Sequence, residues 1–251
     1  MEISPRDAHW LLTEKYLGVK SPHYFADLER LRKGEPIAYV IGWIPFLRAR
    51  IKLEQRPLIP RPETEYWADE AFRMLARERT HIANLSFADC YAGSGCIGIA
   101  ALLHFPKARC TFIDIGGEEC AQIEENIRSN ITHKERASVL QGDVCATLVG
   151  PYDALFANPP YIDPHATDVD ESVKVWEPYR ALYADEHGLL EIKKLLACAH
   201  GHLASGGSLF CEFGKGQESA IAALPEASSW RIEFHPDQYG VTRWFRAFPN
   251  T

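Results

Sequence analysis

The chain has 251 residues, enough for one large domain or one domain with a small appendage. Its net charge of −7 argues against a protein built to wrap a phosphate backbone, which leaves only a local basic patch for that purpose. No apolar run is long enough to span a bilayer, and MEISPRDAHW lacks the basic-then-apolar pattern of a secretory leader.

In chain order, residues 5–33 predict two short charged helices. Pro5 suits one start, Ser21 with Pro22 suits the other, and Gly34 suits a stop. The apolar run 37–41, then Gly42, then the alternating stretch 46–53 (FLRARIKL) predict a β-hairpin. Pro57, Pro60 and Pro62 make a stiff loop, and 63–79 reads as a helix. From residue 84 the rhythm changes. Strands are expected at 85–90, 110–115, 138–141, 152–156 and 208–213, and helices at 95–104, 118–130, 189–202 and 217–224. This alternation predicts an α/β fold with a mostly parallel sheet. Two final strands, 230–234 and 242–248, follow each other without a helix and suggest an antiparallel edge. The expected organisation is a helical region over 1–34, a hairpin and proline-rich linker over 35–62, and a main domain over 63–251.

Seven cysteines are scattered with no C-x-x-C pair, and several lie inside apolar strands. They read as reduced core thiols of a cytoplasmic protein. His200 and His202 are two apart and would not share a helix face, so no metal site is expected.

Two turns carry the chemistry. The first, Asp89-Cys90-Tyr91-Ala92-Gly93-Ser94-Gly95, follows a strand and opens a helix. Glycines there let a ligand approach the backbone, and the helix start offers free N–H groups. Asp114 ends the next strand, roughly 20 residues on, where a carboxylate accepts from ribose hydroxyls. Asp143 follows the third strand. Gly93, Gly95 and Gly98 also satisfy G-x-G-x-x-G, which leaves a nicotinamide cofactor open on the glycines alone. The second turn, Asn158-Pro159-Pro160-Tyr161, ends the apolar run 152–156. Its prolines make a rigid, donor-poor turn suited to holding something still, and a nicotinamide enzyme gives that turn no role.

Together these turns resemble class I S-adenosylmethionine-dependent methyltransferases that act on planar nitrogens. Further stretches resemble the HemK/PrmC family of protein-(glutamine-N5) methyltransferases: G-E-P-I-A-Y at 34–39, L-I-P-R-P-E-T-E at 58–65, W-E-P-Y-R-A-L at 176–182 and E-F-G-K-G-Q at 212–217. The resemblance runs in order from about residue 34 to 248. It implies a Rossmann-like, seven-stranded, mostly parallel sheet preceded by a small helical region and a hairpin. It also implies S-adenosylmethionine as cofactor and the glutamine of a Gly-Gly-Gln motif in a peptide-chain release factor as acceptor, with no membrane partner and nucleic acid not expected as a direct substrate.

By the same resemblance, Asp89, Tyr91, Ala92, Gly93, Ser94 and Gly95 surround the methionine part of the cofactor. Asp114 takes the ribose, and Asp143 with Val144 takes the adenine region. Asn158, which also borders the cofactor, holds the acceptor glutamine with Pro159, Pro160 and Tyr161. Arg61, Glu63 and Thr64 lie in the matching proline-rich loop and shape the pocket entrance, or Arg61 and Glu63 serve only the electrostatics of the helix start. Two features depart from the family pattern D-x-G-x-G-x-G with its longer helical region. Tyr91 stands at the first glycine, where its ring either crowds the methionine or points away, and the segment before Gly34 is short.

Two other readings use the same residues. An adenine-N6 methyltransferase shares the Asn-Pro-Pro-Tyr logic and would use the basic run Arg48-Ala49-Arg50-Ile51-Lys52, which is equally the solvated face of a strand. A non-catalytic binding module would explain Tyr91 but not the retention of Gly93, Gly95, Asp114 and Asn158.

Overall fold

A computed structural model describes residues 2–80 and 84–250. The outermost positions of the expected segments, Met1 and Thr251, lie outside the described residues. The N-terminal region holds helices Pro5–Trp10 and Pro22–Arg32, joined through a wider helical turn at Leu11–Lys15. Ser21 caps the second by accepting the Tyr24 N–H. These helices bury Leu11, Tyr24 and Leu31 against Val40 and Ile41, a small core of their own.

The run 37–41 is a correction. It forms a helix, Ile37–Ile41, and not the first hairpin strand. Pro36 precedes its first turn. Gly42, at φ +94°, ends it by donating its N–H to the Ala38 carbonyl at 2.8 Å. Burial of Ala38, Tyr39, Val40 and Ile41 overrides the strand preference of the β-branched residues. The hairpin instead pairs β1 (Trp43–Phe46) with β2 (Ala49–Lys52). It docks on helix Gly117–Asn130, where Asn126 takes the Lys52 N–H at 2.8 Å and returns its amide to the Lys52 and Ser94 carbonyls at 3.0 Å.

The main domain contains β3 (Ser86–Cys90), β4 (Arg109–Asp114), β5 (Ala137–Gln141), β6 (Tyr152–Ala157), β7 (Leu203–Glu212), β8 (Trp230–Pro236) and β9 (Thr242–Pro249). They form one seven-stranded sheet in the order β5-β4-β3-β6-β7-β9-β8. The pairings from β5 through β7 are parallel, and β9 is antiparallel to both its neighbours. This is the fold class expected from the strand–helix alternation.

Side-chain alternation sends Phe87, Phe112, Phe156 and Phe210 to one face, where helices Pro62–Glu78 and Cys96–His104 cover them. Ala88, Ile113, Leu155 and Leu209 point the other way, against Ile192, Leu195 and Leu196 of helix Leu190–Ala199. Gly98 is required by this packing, because a Cβ there would sit 2.3 Å from the Phe112 ring.

The chain runs outward from β3 to β4 and β5, then returns to start β6 on the other side of β3. That reversal opens a crevice at the carboxyl ends of β3 and β6. Register sets its rim: Cys90 pairs with Ala157, and Ala157 with Cys211. Tyr91, Asn158 and Glu212 therefore follow at the same level on three adjacent strands.

The cysteine reading needs a second correction. Five cysteines are free and buried, but Cys145 and Cys198 are bonded to each other, with Cα atoms 5.5 Å apart. Both are only half buried and outside the sheet, so they escape the shielding that keeps the core thiols apart. Among the described residues no helix is long and apolar enough to cross a membrane.

Candidate active site

Two cavities of about 400 Å³ each open at the crevice. The first lies over the glycine turn. Its floor is Tyr91 to Ser94, and its walls include Ile97, Asp114, Ile115 and Val144. Gly93 (φ +55°) and Gly95 (φ +76°) adopt the left-handed backbone of the turn, and a Cβ added at Gly93 would meet nothing within 4 Å. The backbone there is a cradle open to a ligand.

Asp114, at the end of β4, holds this turn. Its Oδ2 accepts the Gly93 N–H at 2.8 Å and its Oδ1 the Gly116 N–H at 2.9 Å. Burial pushes its carboxyl up from the ordinary range against the pull of those two donors. Each oxygen keeps a lone pair for a hydroxyl of the kind a ribose presents. Asp143 caps the short helix Val144–Thr147 by accepting the Ala146 N–H at 3.2 Å, and both Asp143 and Val144 line the cavity. Asp89 lies beneath the floor, fully buried. Its Oδ2 takes the Gly98 N–H at 2.8 Å, its Oδ1 has no partner among the described residues, and burial pushes its carboxyl up to about 8.

Tyr91, at one end of that floor, has φ +56°. Its hydroxyl donates to Glu191 Oε2 at 3.1 Å, so the polar end of the ring is tied to helix Leu190–Ala199.

The second cavity also borders Asn158, and its walls include Tyr161, Ile162, Val173, Gly214, Lys215 and Arg243. Among the described residues only Leu58, Arg61, Asn158 and Ala181 border both cavities. Pro159 is buried under the turn, Pro160 lines the first cavity, and Tyr161 lines the second. Gln217 donates to the Tyr161 carbonyl at 3.0 Å and accepts the Gly214 N–H at 2.8 Å, which fixes the end of the turn.

Beneath the junction sits a carboxylate that sequence reasoning gave no role. Glu212, the last residue of β7, is 1% exposed. It accepts from Thr64 Oγ1 and Trp67 Nε1 at 2.6 Å and from the Tyr161 hydroxyl at 2.9 Å. The buried stripe of helix Pro62–Glu78 (Thr64, Trp67, Ala68, Ala71, Phe72, Leu75) explains the approach. The spacing that packs its lower residues into the core sets Thr64 against the sheet's rim. Thr64 in turn is reached by Asn158 Nδ2 at 3.4 Å.

Arg61 borders both cavities and pairs with Glu177, whereas Glu63 lines neither and stands in the first turn of helix Pro62–Glu78. Sequence reasoning also left Tyr179, Arg180, Tyr183 and Lys194 without a role, and all four line the first cavity. The signal for the first two was the W-E-P-Y-R-A-L stretch. In the basic run of the hairpin, Arg50 stacks on Trp43 at 3.9 Å and Lys52 pairs with Glu125 at 2.5 Å. Neither cavity includes them.

The first cavity fits a nucleoside-bearing cofactor. It joins an open glycine cradle, a carboxylate at the second strand end, and apolar walls at Ile97, Ile115 and Val144.

A family model described as "Conserved hypothetical protein 95" matches residues 50–199. A release factor glutamine methyltransferase of Chlamydia trachomatis is 32% identical, over 98% of this chain and 82% of that protein. That of Lactococcus lactis is 32% identical over 86% and 78%. A ribosomal protein uL3 glutamine methyltransferase of Xanthomonas campestris is 31% identical over 84% and 68%. Among solved structures, a methyltransferase from Pyrococcus furiosus superposes with a TM-score of 0.56 at 15% identity, covering 89% of this chain and 98% of that one. A ribosomal protein L11 methylase from Lactobacillus delbrueckii gives 0.52 at 19% identity, covering 72% and 79%. These two show the fold.

Proposed function

Because the chain belongs to the family of release factor glutamine methyltransferases, we propose that it methylates the side-chain amide nitrogen of a protein glutamine with S-adenosylmethionine as donor. The acceptor in this reading is the glutamine of the Gly-Gly-Gln motif in a peptide-chain release factor. One observation carries it: Asn158 borders both the cavity over the glycine turn and the second cavity.

The cofactor supplies an electrophilic methyl group on a positively charged sulfur. Asp114 would hold its ribose, Gly93 and its neighbours the methionine part, and Val144 the adenine. The chain's task is then to present a poor nucleophile. An amide nitrogen has its lone pair delocalised into its carbonyl, and in this reading it is activated by orientation and not by prior removal of a proton. Asn158 Oδ1 and the Pro159 carbonyl accept the two amide N–H bonds and turn the nitrogen's density toward the methyl. The rigid proline turn keeps those acceptors still. As the nitrogen gains positive charge, both acceptors hold it more strongly than they held the neutral amide. The proton leaves afterwards to water.

Transfer of labelled methyl from S-adenosylmethionine tests this reading. Label should enter purified release factor and not nucleic acid. Label in adenine instead would favour the nucleic-acid reading of the Asn-Pro-Pro-Tyr turn.

A further inference from the structure

We propose that Glu212 and Thr64 form a relay that fixes which way the Asn158 side-chain amide faces, with Thr64 as a positioning residue for the acceptor. The inference rests on the reading of Asn158 as the group that holds the acceptor amide.

An asparagine can present either its oxygen or its NH2 to a substrate, and the two ends have the same shape. Only the oxygen can accept an amide N–H. Something must therefore break the tie. A threonine hydroxyl has a single proton. In this site that proton is committed, since Thr64 Oγ1 donates to Glu212 Oε2 at 2.6 Å inside the protein. What remains on Thr64 is a lone pair, and a lone pair can only accept. The group that reaches it is Asn158 Nδ2 at 3.4 Å. With the nitrogen drawn to Thr64, Oδ1 is turned the other way. No described residue donates to that oxygen, so it is left for an incoming N–H.

Glu212 is in turn held in one orientation. Trp67 Nε1 can only donate and meets the same carboxylate oxygen as Thr64, and the Tyr161 hydroxyl donates to the other. The carboxylate has three donors and is 1% exposed, so it cannot rotate without stranding one of them. The order of control runs from the end of β7, through the first turn of helix Pro62–Glu78, to the turn after β6. Burial raises the Glu212 carboxyl, and its three donors and the charge of Arg243, which lines the second cavity, pull it back down.

Thr64→Val keeps the shape and removes the acceptor. It should lower kcat for methyl transfer about tenfold or more, while the dissociation constant for S-adenosylmethionine stays within about twofold. Thr64→Ser restores the hydroxyl and should recover most of kcat. Glu212→Gln keeps an oxygen toward Trp67 Nε1 and Thr64 Oγ1 and turns its NH2 to the Tyr161 hydroxyl, which can accept, so it should cost less kcat than Thr64→Val, with the double variant no worse than Thr64→Val. If Glu212→Gln does not fold, the Thr64 pair still decides.

A second readout needs no substrate. The side-chain NH2 resonances of Asn158, assigned by their loss in Asn158→Asp, should shift in Thr64→Val and hold in Thr64→Ser. Wild-type kcat in Thr64→Val, equal losses in Val and Ser, or unmoved Asn158 resonances would each overturn the relay. A wild-type enzyme that transfers no methyl would sink the functional reading instead, and the resonances would still decide the relay.

Discussion

Arg61 Nη2 donates to Glu177 Oε1 at 2.6 Å, joining the proline-rich loop before the sheet to a segment 116 residues later. The other carboxylate oxygen takes the Ile59 N–H at 3.0 Å, and Glu177 is 6% exposed. One buried carboxylate thus closes the loop that carries Leu58 and Arg61 along both cavities. Glu177→Ala leaves a buried N–H unpaired and Arg61 free, at a cost of about 1–3 kcal/mol. The expected outcome is a lower melting temperature and a higher KM for the protein acceptor, with a smaller change in cofactor affinity. Unchanged steady-state constants would show that the loop does not shape the acceptor cavity.

Asp114→Asn tests the cofactor assignment. An amide offers one acceptor oxygen where the carboxylate offers two, and its NH2 would face a backbone N–H. Calorimetry should show S-adenosylmethionine bound at least about tenfold more weakly. Normal affinity would mean that the cofactor does not use the end of β4.

Tyr91→Gly relieves a left-handed backbone, worth about 1 kcal/mol, and removes a ring whose packing and hydroxyl bond are worth more. Stability should fall. Because the hydroxyl end is tied to Glu191, cofactor affinity should tighten or stay within about threefold. A large loss of affinity would identify the ring as a direct cofactor contact.

The Asp89 carboxyl, pushed up to about 8 by burial, makes stability depend on pH. The folded state holds this proton more tightly than the unfolded chain, where the group titrates near about 4. Its contribution is therefore complete below about pH 4 and is lost as pH rises through about 8. Asp114 and Glu212, also raised, act with the same sign. Urea unfolding at pH 5.5 and 8 should show the wild type weaker at the higher pH, with Asp89→Asn losing less. Identical losses in the two proteins would remove Asp89 as the cause.

Most of the sheet was legible because its strands are short apolar runs bounded by turn residues, as 152–156 before Asn158 shows. The closeness of the glycine turn and Asp114 was legible from their places at adjacent strand ends, and the structure joins them through the Gly93 N–H and lines one cavity with both. The helix Ile37–Ile41 was not, since its residues favour strands and only burial on all sides explains it. The partners of Glu212 were hidden for a different reason. Thr64 is 148 residues away in sequence, and only the packing of helix Pro62–Glu78 on the sheet brings the two together. The Cys145–Cys198 bond was equally hidden, because connectivity cannot be deduced from spacing.

Peptide mapping by mass spectrometry of a release factor, incubated with S-adenosylmethionine and either the wild type or Asn158→Ala, tests the central claim most directly. The wild type should add one methyl to the glutamine of the Gly-Gly-Gln segment. Asn158→Ala should add none while binding S-adenosylmethionine nearly as well. A wild type that binds the cofactor but leaves that glutamine unmodified would contradict the assigned acceptor. Equal loss of transfer and cofactor binding in Asn158→Ala would contradict the role given to the turn after β6.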